Sequence, residues 1–332
     1  MRGKMKFRAT VLVFLLCCGL QAQTTPAYAQ IAAAAYPVKP LRFILPYAAG
    51  GMPDTVARAV SQDLAIRLGQ SVVIDNRPGA SQAIALDAAA KAPADGYAMV
   101  MGTMSGLLFL TASRKSLPYD PFKDFASVTL LMSTPFFVVV HPEVAATSVP
   151  ELIALLKAQP GKLFYGTLGV GSGHHLVTEL FKTRTGTNMV HVPFKAGNQA
   201  HAGLLASQVQ VMFEGPGILT HQTTGKIRVL ATTGAKRAST MPDVPTLAES
   251  VLPGFDVGTW FGLSVPAAVP RPIIDKLNRE VVGILRTPAT LEKLASMGLD
   301  ALPSTPEEMN ERIRVEFPIW TRVMRSAGIE AE

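Results

Sequence analysis

The sequence predicts an α/β fold built of two lobes, and three observations carry that prediction. Strand-like and helix-like segments alternate, and the alternation runs twice along the chain. Each run holds a glycine-rich turn between a strand and a helix. Some 300 residues follow a short leader, about twice the length of an ordinary single domain.

The elements follow in order. Residues 42–45 form a short apolar run that stops at Pro46 and leads into Tyr47, Ala48, Ala49, Gly50 and Gly51. From 55 to 68 apolar residues recur at helical spacing (Val56, Ala59, Val60, Leu64, Leu68). Residues 71–74 read as a second strand closed by Asn76-Arg-Pro-Gly79, 83–92 as a helix, and 98–101 as a third strand. Strand–helix–strand order of this kind predicts a parallel sheet covered by helices. The pattern restarts with a strand at 136–140, a helix at 149–158 behind Ser148, and a strand at 163–165. A loop rich in glycine, Gly166 to Gly173, precedes a helix at 175–185. Strands at 189–192, 209–213 and 227–231, with a helix at 200–205, complete the second unit. Late in the chain come a strand at 260–265 and helices at 272–285, 288–297 and 306–327. The first and third of these helices have proline near the start, where a missing N–H costs nothing.

The first 29 residues read as a secretory leader. Four bases and no acid open the chain, an apolar run covers 9–20, and Ala27-Tyr28-Ala29 offers a small-x-small cleavage site after Ala29. Twelve residues at ~1.5 Å each fall short of a ~30 Å hydrocarbon core, which disfavours a membrane anchor. Cys17 and Cys18 both lie in that run, so the mature chain has no thiol for a disulfide, a zinc–thiolate site or a nucleophile. The formal charge of +7 falls to +3, 27 bases against 24 acids, once the leader is removed. No basic block remains, and nucleic acid is not an expected partner.

The two glycine-rich turns carry the chemistry. A helix start has N–H groups with no partner inside the helix, and the helix dipole makes it attractive to an anion. The chain has such a place at 48–54 and another at 167–173. If the lobes face each other, both can grip one carboxylate. Asp54 is open to two readings, a helix cap or a ligand contact. Glu214, after a strand and before Gly215, reads either as a cleft residue or as a solvated turn acid. His174 and His175 are neighbours and cannot both face one site. The remaining mature histidines show no metal spacing, and no metal or cofactor is expected. A dinucleotide reading of Gly169-Val-Gly171-Ser-Gly173 fails because His174 stands where a third glycine belongs and the next strand ends without an acid. Ser172 does not sit in a G-x-S-x-G elbow, since position 170 is Val. No catalytic residue is assigned, and an exported hydrolase is the weaker alternative.

With these segments in place, the chain resembles the substrate-binding receptors of tripartite tricarboxylate transporters, the Bug-type or TctC-like proteins. The resemblance runs from Tyr36 to Ile329 and rests on Pro46-Tyr-Ala-Ala-Gly-Gly51 with Asp54, Asn76-Arg-Pro-Gly79, Asp95-Gly-Tyr97 and Leu117-Pro-Tyr-Asp-Pro121. It continues through the loop at 165–176, His191-Val-Pro-Phe-Lys195, Pro242-Asp-Val-Pro-Thr246 and Trp260-Phe-Gly262. The resemblance implies a type II periplasmic binding protein fold, two α/β lobes joined by two crossing strands. Lobe 1 would comprise 30–132 and 233–332 and lobe 2 133–232, with crossings near 129–137 and 228–236. It implies a periplasmic receptor, not an enzyme, that captures a small carboxylate between the lobes as a monomer. The partners implied are transporter subunits in the membrane, or alternatively a membrane sensor protein. Carried over by position, the ligand-binding residues are Tyr47, Ala48, Gly51 and Asp54 on the first loop, and Thr167, Gly169, Gly171, Ser172 and His175 on the second. Glu214, where the family usually has Asp, and Ser105 complete the set. Ala49 and Met52-Pro53 in the first loop, and Leu168 and Val170 in the second, replace residues that are more often proline, small or polar. These departures predict a less polar ligand than a plain dicarboxylate, an aromatic or branched monocarboxylate.

Overall fold

The computed structural model describes residues 36–195 and 197–329. The leader, its cleavage point and both cysteines lie outside the described residues. Strands β1 (Leu41–Leu45), β2 (Val72–Asn76), β3 (Ala98–Thr103) and β4 (Phe125–Pro135) open a first sheet. A second sheet contains β5 (Phe137–Val140), β6 (Phe164–Thr167), β7 (Val190–Pro193), β8 (Val211–Glu214) and β9 (Arg228–Thr232). The chain then returns, and β10 (Gly258–Pro266) and β11 (Asp300–Ala301) complete the first sheet. The spatial orders are β11-β4-β10-β3-β1-β2 and β7-β6-β8-β5-β9.

The predicted parallel core is present in each sheet. In the first, β1 pairs parallel with β2 (Leu41 opposite Val72) and with β3 (Arg42 opposite Ala98). In the second, β6 pairs parallel with β7 and β8. Both sheets are nevertheless mixed. β10 runs antiparallel to β3 and β4, and β5 antiparallel to β8 and β9, because these strands carry the chain from one sheet to the other. The sequence did not announce β4 as a strand. Ser127 to Met132 are buried one after another, and burial on both faces erases the alternation that marks a half-exposed strand.

Helices α1 (Met52–Leu68), α2 (Ala83–Ala90), α3 (Leu110–Ser113) and α4 (Val149–Ala158) are followed by α5 (Gly173–Thr185) and α6 (Gly197–Leu205). A single short turn, α7 (Leu247–Ser250), precedes α8 (Arg271–Leu285), α9 (Pro288–Ser296) and α10 (Pro306–Ser326). Their starts follow local chemistry. The Ser148 side chain accepts from Glu151 N–H at α4, and Thr305 with Glu308 forms a reciprocal capping box around Pro306 at α10. α8 buries a stripe of Ile273, Ile274, Leu277, Val281, Ile284 and Leu285 against the first sheet. No helix among the described residues is long and apolar enough to cross a membrane.

Both passages between the sheets meet at one residue. Phe136 alone separates β4 from β5. Its N–H donates to Thr233 Oγ1 at 2.9 Å, and Thr233 N–H donates back to Phe136 O at 2.9 Å. Val257 N–H, just before β10, donates to Thr233 O at 2.8 Å. The outgoing strand and the returning segment are thereby tied side by side. One hydrophobic cluster runs from Ile44 and Val100 of the first sheet to Val138 and Phe213 of the second.

Candidate functional site

A cavity of about 460 Å³ lies where the two sheets' loops converge. Tyr47 comes from the turn after β1 and Met52 from the first residue of α1, while Leu168, Val170, Gly171 and Ser172 come from the turn after β6 and Gly173 and His174 from the start of α5. Thr134, Pro135 and Phe136 form part of its wall at the crossing, with Thr259 and Phe261 of β10. Ser105, Phe109, Leu110 and Arg114 supply a further wall. No Asp or Glu is among the described residues that line it; Arg114 contributes a guanidinium.

Of the ligand-binding residues carried over by position, Tyr47, Ser105, Gly171 and Ser172 line the cavity, and the others do not. Met52, Leu168 and Val170, departures from the family pattern, line it too. Ala48 and Gly51 are exposed on the first loop. Asp54 is only 2 % exposed and is engaged by its own loop, by α1 and by the end of β2. Its carboxylate accepts from Gly50 N–H (2.9 Å), from Arg58 Nε and Nη2 (2.8 and 3.0 Å) and from Asn76 Nδ2 (2.9 Å). Hydrogen bonding from Arg58, ahead of the bonds from Gly50 and Asn76, outweighs burial and holds Asp54 down at about 2. The Asn76 amide also donates to Tyr47 O at 2.9 Å, so this network sets the path of the first loop. Pro53 has no N–H, and the first intrahelical bond of α1 is Thr55 N–H to Gly51 O. The start of α1 thus holds an anion that the chain itself supplies.

The second loop is built differently. Ser172 caps α5, its Oγ accepting from His175 N–H at 3.3 Å and donating to Gly169 O at 2.7 Å. Gly169 and Gly171 have φ of +107° and +75°, a region that residues with a β-carbon rarely enter. Thr167, fully buried, contacts His191 Nε2 at 2.6 Å through Oγ1, and Gly169 N–H donates to the same oxygen at 3.3 Å. Gly171 N–H donates to His175 Nδ1 at 3.1 Å, which requires that nitrogen to carry no proton. The His175 ring is stacked on His191 at 4.0 Å between centroids. Burial, then the neighbouring His191, pulls His175 down to about 4, with Glu179 opposing. Burial likewise lowers His191. His175 is therefore a neutral brace under the loop, and it is His174 that reaches the cavity wall. Gly173 and His174 stand at the start of α5, before its first intrahelical bond from Leu176 N–H to Ser172 O, so no intrahelical partner takes their amides.

Several lining residues gave no sign in the sequence. Ala80, Ser81 and Gln82 all have positive φ (44°, 52° and 86°), an uncommon run for residues other than glycine, and Ser81 and Gln82 line the cavity. The Gln82 amide donates to the Tyr47 hydroxyl at 3.0 Å and accepts from Thr103 Oγ1 at 2.6 Å. Burial pushes the Tyr47 hydroxyl up to about 12 against the lowering effect of Thr103 and Gln82, so it stays a neutral phenol. A β-carbon on Gly106 would come within 2.6 Å of Gln82 Oε1, so glycine is what admits this side chain. Ser105 to Phe109 form one π-helical turn ahead of α3, a distortion frequent at functional sites. Only the Asn76-Arg-Pro-Gly79 segment hinted at an irregular turn nearby. Leu168 and Val170 project from the second loop, Val170 with 65 % of its surface exposed.

A cavity between two α/β sheets, walled by loops from both and by the chain crossings, is the arrangement of a periplasmic binding protein. Solved structures bear this out. An R. palustris protein with adipate superposes with a TM-score of 0.78 at 33 % identity, covering 90 % of this chain and 100 % of that one. Periplasmic binding protein BugD gives 0.73 at 30 % identity (90 % and 100 % covered), and MatC from Rhodopseudomonas palustris with bound malate gives 0.72 at 29 % (87 % and 99 %). The chain belongs to the tripartite tricarboxylate transporter family of receptors, whose family model matches residues 56–329. Protein BugT of Bordetella pertussis is 34 % identical over 316 residues, 95 % of this chain and 97 % of that protein. Members of the family are periplasmic substrate-binding receptors for transporters, not enzymes, and this chain is a receptor of that kind.

Proposed function

We propose that this receptor captures a small organic acid with one carboxylate and an apolar body, and delivers it to a tripartite tricarboxylate-type transporter. The observation that carries the reading is the lining of the cavity. Without an acid among its described residues, it offers the start of α5 and the hydroxyls of Tyr47 and Ser105 to an anion, with Arg114 also in the wall. Met52, Phe136, Leu168, Val170 and Phe261 surround these groups with apolar surface. Its volume of about 460 Å³ suits a small molecule. Adipate and malate are the ligands of two structural relatives, so a carboxylate is the common chemistry.

Capture proceeds by closure of two lobes, 30–132 with 233–332 and 133–232, about the paired segments at Phe136 and Thr233. A ligand favours the closed form only through contacts made to both lobes at once. The residues that meet it are Tyr47, Ser105, Gly171 and Ser172. Ala48, Gly51, Asp54, Thr167, Gly169 and His175 hold the two loops in shape, and Glu214 stands behind the second. The receptor reaches the periplasm through a leader cleaved after Ala29, which N-terminal sequencing of exported protein checks.

The test is a thermal-shift screen of protein unfolded and refolded to remove carried-over ligand. Bound ligand raises the melting temperature by mass action. Phenylacetate, benzoate and branched monocarboxylates are expected to raise it more than malate or succinate. Strong shifts with the dicarboxylates and none with the apolar acids would defeat the proposal.

A further inference from the structure

The wall that the first sheet gives to the cavity contains a side-chain relay whose direction follows from its distances. Gly106 N–H donates to Thr103 Oγ1 at 3.2 Å, and Gly106 O accepts from the Tyr119 hydroxyl at 2.8 Å, so the backbone donor at the head of the relay is held in place. Thr103, buried at the end of β3, contacts Gln82 Oε1 at 2.6 Å. That length belongs to an O–H···O bond and is too short for N–H···O. Gln82 therefore turns its carbonyl to Thr103 and its amide nitrogen to the Tyr47 hydroxyl, 3.0 Å away, an ordinary N–H···O distance. Each bond fixes the next, and Tyr47 ends the relay as an acceptor.

The proton of the phenol is then left for another partner. Burial keeps the Tyr47 hydroxyl protonated. Thr103 Oγ1 is within its reach, but that oxygen already accepts from Gly106. An ionised oxygen in the cavity outcompetes it, because a hydrogen bond to a charged group is roughly twice as strong as one between neutral groups. Tyr47 and Gln82 both line the cavity. The backbone gives Gln82 separate weight. It closes the run Ala80–Gln82 at positive φ, which residues other than glycine keep only where surrounding contacts hold them. On its far side, only a glycine at 106 leaves room for its carbonyl oxygen.

We propose that Gln82 and Thr103 are positioning residues that fix Tyr47 as a hydrogen-bond donor to an oxygen of the bound acid. The inference rests on the carboxylate reading and adds to it two residues and a direction. The start of α5 holds the anion from the second sheet, and the Tyr47 donor holds it from the first. A ligand bonded on both sides in this way favours closure.

Titration calorimetry with phenylacetate and with adipate tests the relay through substitutions along it. Y47F keeps the ring against Phe261 and removes the donor, and affinity is expected to fall about tenfold, the worth of a hydrogen bond to a charged group. T103V removes the proton that holds the Gln82 carbonyl, which frees the amide to turn and take the Tyr47 proton itself. A loss of about three- to tenfold is expected. T103S, which keeps the hydroxyl, is expected to retain wild-type affinity. In the double variant Y47F/T103V the second substitution should cost nothing further, since no phenolic proton remains to be misdirected. Full affinity in a folded Y47F overturns the proposal. So does a T103V loss that persists undiminished in the Y47F background, the mark of a merely structural effect. Both results leave the carboxylate reading standing, whereas silence of the unaltered protein with both acids overturns that reading and this proposal with it. Q82M breaks the relay at its middle and is expected to match T103V, so the comparison stands if T103V does not fold.

Discussion

The starts of α1 and α5 are both glycine-rich turns leaving a parallel strand, yet they differ in charge. At α1 the chain supplies its own carboxylate. Asp54 takes donors from Gly50, Arg58 and Asn76, and a proline sits where one amide would have been. At α5 the cap is a neutral serine, and the nearest carboxylate, Glu214, lies behind His174 rather than at the helix start. The first turn is therefore a rigid frame for Tyr47 and Met52, and the second is the seat we propose for the anion. A helix start makes an anion site only if nothing nearer in sequence has filled it.

The largest expected effect falls on the frame. Asp54→Ala removes the acceptor of three neighbouring groups and should cost about 2–4 kcal/mol of stability, measured by urea unfolding. A loss below about 0.5 kcal/mol, the range of ordinary surface substitutions, would mean that the first turn does not depend on its carboxylate. The seat is expected to be pH-sensitive instead. His175 is an ordinary histidine when unfolded and is held down at about 4 when folded, so the unfolded chain takes up the proton first. Its contribution is fully present above about pH 6.5 and is lost as pH falls from there to about 4, with a slope of up to about 1.4 kcal/mol per pH unit. Thermal melts from pH 7 to pH 4 should show this decline, and H175N, which keeps a side-chain acceptor, should flatten it.

Two smaller effects sharpen the comparison. Gly171→Ala places a β-carbon at φ +75°, in open space, and should cost about 1 kcal/mol from the backbone alone. Calorimetry should show ligand affinity falling alongside, whereas Gly50→Ala at φ +86°, also in open space, should cost similar stability with less effect on affinity. The double variant L168S/V170S, on an exposed stretch of the second loop, should change stability by no more than about 0.5 kcal/mol. It should shift preference from apolar toward more polar acids by about tenfold or more, and unchanged selectivity in competition titrations would show that these side chains do not meet the ligand.

Much of this molecule was legible before any coordinates. The helix starts at 149 and 306, the strands at 42–45 and 136–140, and both glycine turns are written in local patterns of two to eight residues. β4 was not, because continuous burial from Ser127 to Met132 has no period. The left-handed run Ala80–Gln82 was not, because nothing in those residue types favours it; the anchors are the Tyr47 hydroxyl and Thr103, tens of residues away. Helical phase said that His174 and His175 must face different ways, and stopped there.

The sequence by itself determined the two-unit α/β order and the two turns, which depend on short-range spacing and backbone preference, and its motifs carried the resemblance to the receptor family. Only the tertiary structure decided which turn is filled, which histidine meets the cavity and which braces the loop. Those outcomes depend on Asn76 reaching back to Asp54, Glu214 rising behind His174 and His191 stacking on His175. Contacts between residues distant in sequence set charge and access at a site, and no local pattern encodes them.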